Sequence, residues 1–241
     1  MPPFLQSAGL IFLGLLPSLI WLAFYYREDC HPEPKQLLAR TFLMGIIVAP
    51  LAIVLQLGFL KMSVPIHDLT ESVLSKTPMF FLWAALVEEL IKFFAVYILI
   101  MRRPEFDEPL DGMVYMITAA LGFAAIENVL ILFQILPDGA FMTLSTLILR
   151  FIGATLLHAL ASGIAGYFLG MAWIIKHHSK KILTVGLLIA TFFHFGFNMI
   201  ISTLDSPASA LFYTTILLLF MALLISVLFD RLKYHYAQYT C

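Results

Sequence analysis

Seven apolar runs, separated by short polar stretches, organise the chain, at about 4–26, 37–60, 79–101, 112–136, 143–175, 182–204 and 208–229. Crossing a hydrocarbon core as a helix takes about 20 residues, and each run meets that length. Backbone in lipid must satisfy its own hydrogen bonds, so lipid-facing runs of this kind are helical. The pattern predicts an all-α, polytopic transmembrane helix bundle of about seven spans, forming a single integral membrane domain over 1–241. The fifth run is long enough to tilt or to protrude. The first has no basic residue before it and no small-x-small pattern after it, and it exceeds the roughly 7–15 residues of a signal-peptide core. It reads as a retained helix. The connecting loops are too short for a soluble domain, and there is no internal repeat.

Composition agrees with the pattern. The chain is 61% hydrophobic and 12% charged, with a mean hydropathy of +0.96, whereas soluble domains carry about 25% charged residues. The expected solvent is the lipid bilayer and the expected location the cell membrane, multi-pass. A net charge of −1 without a basic, aromatic-rich tract gives no reason to expect nucleic acid as a partner. Cys30 and Cys241 stand outside the apolar runs at no metal-type spacing.

Basic residues orient the spans. One side holds Arg27, Lys35, Arg40, Arg102, Arg103, Lys176, Lys180, Lys181, Arg231 and Lys233, and the other only Lys61 and Lys76. This asymmetry places the C-terminus in the cytoplasm and the N-terminus outside. A reporter fused after Cys241 is therefore expected to read as cytoplasmic, and one inserted in the 61–78 loop as external. The opposite reading from both fusions would overturn the orientation.

Away from the ends of the apolar runs lie seven charged or histidine residues: Glu88, Glu89, Lys92, Glu127, Arg150, His158 and His194. A charged side chain at mid-bilayer costs roughly 2.5–3.5 kcal/mol on insertion scales, and such residues mark function by default. Residues four apart share a helix face. Ala84, Glu88 and Lys92 form one stripe with Glu89 beside it, and Phe123 and Glu127 form another. His158 stands among Ala154, Ser162, Gly166 and Gly170, and His194 among Gly186, Ala190, Asn198 and Ser202, all at four-residue steps. Small residues at that spacing mark close helix contact, so both stripes should face protein. Glu88, Glu127 and His194 each lie about ten residues from the outer ends of their runs, roughly 15 Å at 1.5 Å per residue. Four helices thus bring Glu, Glu, His and His to about one level.

Structural readings compete for some of these residues. Glu88 and Lys92 have the spacing of a simple ion pair, and His158 of a packed core histidine. Arg150 reads as a counter-charge or a snorkelling residue. Asp107, Glu108 and Asp111 read as an acidic helix start, with Asp111 near the N-cap. Glu127 has no basic neighbour on its own helix.

In order along the chain, Glu88-Glu89-x-x-Lys92, Phe123-x-x-x-Glu127-Asn128, His158 and His194-x-x-x-Asn198 resemble the PrsW family of membrane proteases, relatives of the type II CAAX prenyl proteases. The motif-bearing core is about 79–204. The resemblance implies an intramembrane endopeptidase that cleaves a single-span, membrane-anchored protein such as an anti-sigma factor. It implies catalytic roles for Glu88, Glu89, Glu127, His158, His194 and Asn198, supported by Lys92 and Asn128. Glu88 would activate water with help from Glu89, while His194 and Asn198 would polarise the scissile carbonyl. Where the CAAX branch has F-x-x-x-H, this chain has Glu127.

Two mechanisms stay open. Buried glutamate can act as a general base without any cofactor. Alternatively, one zinc held by Glu127, His158 and His194 could acidify water, with Glu88 as base. A proton-coupled transporter would also bury Glu, His and Lys, but the repeats and broken helices common in carriers are missing. A non-catalytic scaffold would have little need for the Glu88–Glu89 pair.

Overall fold

The structure, a computed structural model, describes residues 3–27, 31–63 and 77–235. Cys30, Lys76 and Cys241 lie outside the described residues. The helices are α1 (Pro3–Tyr25), α2 (Lys35–Ser63), α3 (Pro78–Leu99), α4 (Asp111–Ile135), α5 (Ala140–Ile152), α6 (Ala154–Ile175), α7 (Ser179–Thr203) and α8 (Pro207–His235). A single 3₁₀ turn, Leu136–Asp138, joins α4 to α5. The described residues contain no strand.

Among the described residues, six segments are long and apolar enough to cross a membrane: α1, α2, α4, α5 with α6, α7 and α8. The 22-residue α3 matches them in length and differ only in carrying Glu88, Glu89 and Lys92. Large apolar side chains such as Phe12, Ile47, Val54, Ile98, Leu219 and Leu223 point outward, as expected where the surrounding medium is lipid.

Helix α4 is the axis of the bundle. It is apolar all round, the signature of a buried helix, and every residue from Asp111 to Ala125 is buried. Asp111 does not cap this helix as its place near the N-cap suggested: it is the first helical residue, and its Oδ2 accepts from the backbone N–H groups of Asp107 and Glu108 in the preceding turn, each at 2.9 Å. The hydroxyl of Tyr115 donates to Glu33, tying the segment before α2 to the same end. Glycine lets the neighbours approach closely. A β-carbon on Gly122 would overlap the carbonyl oxygen of Phe42 on α2, and one on Gly166 of α6 would overlap that of Gly112. Thr77 caps α3 by accepting from the Phe80 N–H at 3.2 Å, with Pro78 at the first helical position.

The fifth apolar run departs from the simple picture. It is two helices meeting at Gly153 rather than one long tilted span. The first of them, α5, exposes Phe141, Leu144, Ile148, Leu149 and Ile152 and buries only Thr143 and Leu147. The break turns Arg150 toward α4 while α6 continues through the core.

Candidate active site

The predicted stripes converge. Glu88, Glu89 and Lys92 on α3, His158 on α6 and His194 on α7 are all buried, with Glu89 and Lys92 fully so. Glu127 on α4 is half-buried. A cavity of about 320 Å³ reaches them; its lining includes Glu88, Glu127, Arg150, His158, His194 and Asn198. Phe80 and Phe81 near the start of α3, with Ile201 and Ser202 near the finish of α7, line it as well. Larger grooves of about 480 and 520 Å³ are lined almost wholly by apolar side chains and hold neither carboxylate nor imidazole.

Glu89 is the most heavily bonded group. Its Oε1 accepts from Lys92 Nζ at 2.8 Å and pairs with His194 Nδ1 at 3.0 Å, and its Oε2 accepts from Ser162 at 2.7 Å. These partners come from three helices, so Glu89 serves as a junction of the fold. Lys92 also reaches His158 Nδ1 at 2.8 Å and lies 4.6 Å from the centre of the Phe123 ring. The lysine is thus more than an i,i+4 partner of Glu88, from which it stands 3.9 Å away.

Glu88 differs from its neighbour. Oε1 accepts from Gln56 of α2 at 2.9 Å, whereas the buried Oε2 has no hydrogen-bond partner. That oxygen lies 3.6 Å from His194 Nε2 and 3.9 Å from His158 Nδ1. The two imidazole rings stand edge to face, 4.9 Å between centres. Glu88, His158 and His194 each offer one ligand atom, and the three atoms lie within 4.8 Å of one another.

Glu127, which sequence grouped with the two histidines, meets one of them together with a cation. Its Oε2 accepts from Arg150 Nη2 at 2.6 Å and pairs with His158 Nε2 at 3.1 Å. Arg150 also donates to Asn128 Oδ1 at 2.6 Å, and Asn128 donates to Thr155 at 3.0 Å. Arg150 is therefore the basic partner that α4 itself lacks, brought in by the break at Gly153. Asn198 lines the cavity one turn beyond His194. Sequence reasoning missed Gln56, a lone amide within an otherwise apolar run; its spacing from Ala52, Ala49 and Gly45 was the available signal.

The geometry can be set beside known proteins. The model of the "PrsW family intramembrane metalloprotease" matches residues 33–227. The chain is 33% identical over 220 residues to Protease PrsW of Oceanobacillus iheyensis, covering 91% of this chain and 93% of that one. Protease PrsW of Geobacillus kaustophilus is 32% identical over 77% of this chain and 76% of its own, and that of Bacillus subtilis 28% over 82% and 85%. No solved structure matches the chain. With the match running from before α2 into α8 and the motif residues gathered around one cavity, the chain belongs to the PrsW family and is a multi-pass membrane peptidase.

Proposed function

We propose that the chain is an endopeptidase that cuts a single-span, membrane-anchored protein of the anti-sigma-factor type in the outer half of the bilayer, with water activated at Glu88. One observation carries this reading: the buried, unpartnered Oε2 of Glu88, on the wall of the cavity between two imidazoles. An orphaned buried acceptor is costly, and at a peptidase site its natural partner is the attacking water.

The family's description as a metalloprotease raises the question of a metal. Two imidazoles and a carboxylate are a donor set of catalytic zinc sites, and the orphaned oxygen is a ready ligand, so the residues fit. Glu88, His158 and His194 would hold the ion, and Glu88 would then act on water as a ligand of that ion, its role as the base itself belonging to a metal-free site. Glu127 is the less suitable third ligand, because Arg150 already neutralises it. Bound there, a zinc-class ion would acidify water and polarise the scissile carbonyl.

The chain's own groups do the rest. Accepting from Nδ1–H of His194, Glu89 leaves Nε2 with its lone pair toward Glu88, the carboxylate–histidine arrangement found behind metal ligands. This favours His194 as a lone-pair donor over a hydrogen-bond donor to the oxyanion. That donor role then falls to the Asn198 amide. The Lys92 ammonium at His158 Nδ1 occupies a nitrogen that a cation would also seek, so ligation there requires Lys92 to turn away while keeping Glu89. Arg150 and His158 hold Glu127 at the cavity wall, where it orients the His158 ring.

The cavity runs from this cluster toward the start of α3 and the finish of α7, the ends assigned to the outer face by the basic-residue count. A substrate segment must unwind there to expose a carbonyl. Purified protein in liposomes is expected to cut members of a panel of single-span proteins within the outer half of the bilayer or just above it, with Gly or Pro near that level promoting cleavage. Product masses mapping the cut to the cytoplasmic juxtamembrane segment would refute the outer-side reading.

A further inference from the structure

Helix α2 turns a seam of small residues, Gly45, Ala49 and Ala52, toward the bundle, and the next position on that seam is Gln56. Steps of four, three and four keep these residues on one face, and Ala49 and Ala52 are almost completely buried. The amide of Gln56 is thereby carried inward, where its Nε2 donates to Oε1 of Glu88 at 2.9 Å. Among the described residues, no other group lies within hydrogen-bond distance of the Glu88 carboxylate. Lys92, the nearest cation, is committed at 2.8 Å to Glu89 and His158. Packing has no use for an amide here, since leucine or methionine would fill similar space without desolvating a polar group.

We propose that Gln56 is a positioning residue for the hydrolytic reaction: by holding Oε1 it sets the rotation of the Glu88 carboxylate and presents Oε2 to the space between His158 and His194. A carboxylate free to rotate about its terminal bond would exchange its two oxygens and present neither steadily. Supporting groups of this kind are worth about 10–100-fold in activity or metal affinity. The inference rests on the reading of Glu88 given above.

The test compares wild type, Gln56→Met, Glu88→Gln and the double variant on one substrate. Gln56→Met is expected to lower kcat about 10–100-fold, with KM and the thermal midpoint little changed. In the Glu88→Gln background, the same change is expected to add no further loss. Zinc affinity of chelator-stripped protein, measured without turnover by competition with a chromogenic chelator, should fall by a similar factor; if wild type takes up no zinc, the kcat comparison decides. An inactive Glu88→Gln beside a fully active Gln56→Met would overturn the Gln56 role and leave the Glu88 reading intact. A rise in KM at constant kcat would make Gln56 a substrate contact, and a kcat loss matched by loss of folded protein would make it structural; either result overturns the proposal. Normal turnover by Glu88→Gln would remove the Glu88 reading itself, and the Gln56 role with it.

Discussion

Glu88→Gln is expected to lose about 10²–10⁴-fold in turnover, the range associated with a positioned acid–base group, while the bundle stays folded. The substitution preserves volume, and its amide oxygen can still accept from Gln56. What changes is the atom facing the two imidazoles: an amide nitrogen or a neutral oxygen replaces the anionic Oε2, and neither takes a proton from water or holds a cation as the carboxylate does. Single-turnover cleavage in liposomes, with the thermal midpoint measured on the same preparation, checks the expectation. Turnover within a few-fold of wild type would remove Glu88 from the mechanism.

Stripping the metal is expected to have an effect of comparable size. Purified protein should carry about one zinc-class ion, the content of a single-ion catalytic site. A strong chelator should stop cleavage and added zinc restore it. His158→Ala and His194→Ala should lose metal and activity together, because each removes one of the three proposed ligands. Glu127→Gln should behave differently and keep both metal and partial activity, since Glu127 lies against Arg150 and reaches the cluster only through His158. Elemental analysis alongside turnover separates the possibilities. Active, chelator-washed protein without metal would leave the Glu88 carboxylate as the sole proton acceptor, and loss of metal from Glu127→Gln would return Glu127 to the ligand set.

Much of the site is legible in the sequence alone. Glu88, Glu89 and Lys92 had to share a neighbourhood on α3, and His158 and His194 had to face inward, because a helix advances 1.5 Å and about 100° per residue whatever surrounds it. The high cost of charge in lipid does the remaining work, sending every ionisable group toward protein. Those two constraints are local, so a sequence suffices to apply them. They also made the stripe through Ser162 and Gly166 readable as a contact face, and the structure seats Ser162 on Glu89 and Gly166 on Gly112.

The division of labour within the cluster was beyond their reach. From sequence, Glu127 looked like a partner of the two histidines; it pairs with His158 alone and with Arg150, whereas Oε2 of Glu88 faces both imidazoles, 3.6 Å from His194 and 3.9 Å from His158. Glu88 and Glu89 are adjacent and chemically identical; only the surrounding helices make one a saturated junction and leave the other with an open oxygen. Gln56 and the break at Gly153 likewise acquire meaning only through what they meet. Sequence by itself determined the apolar runs, the faces they turn inward and the kinds of group gathered at one site. Tertiary structure decided which atoms pair, because hydrogen bonds and ligation vary steeply over a few tenths of an ångström, and such distances are set by close approaches between helices, such as Gly122 against Phe42, rather than by periodicity along any one of them.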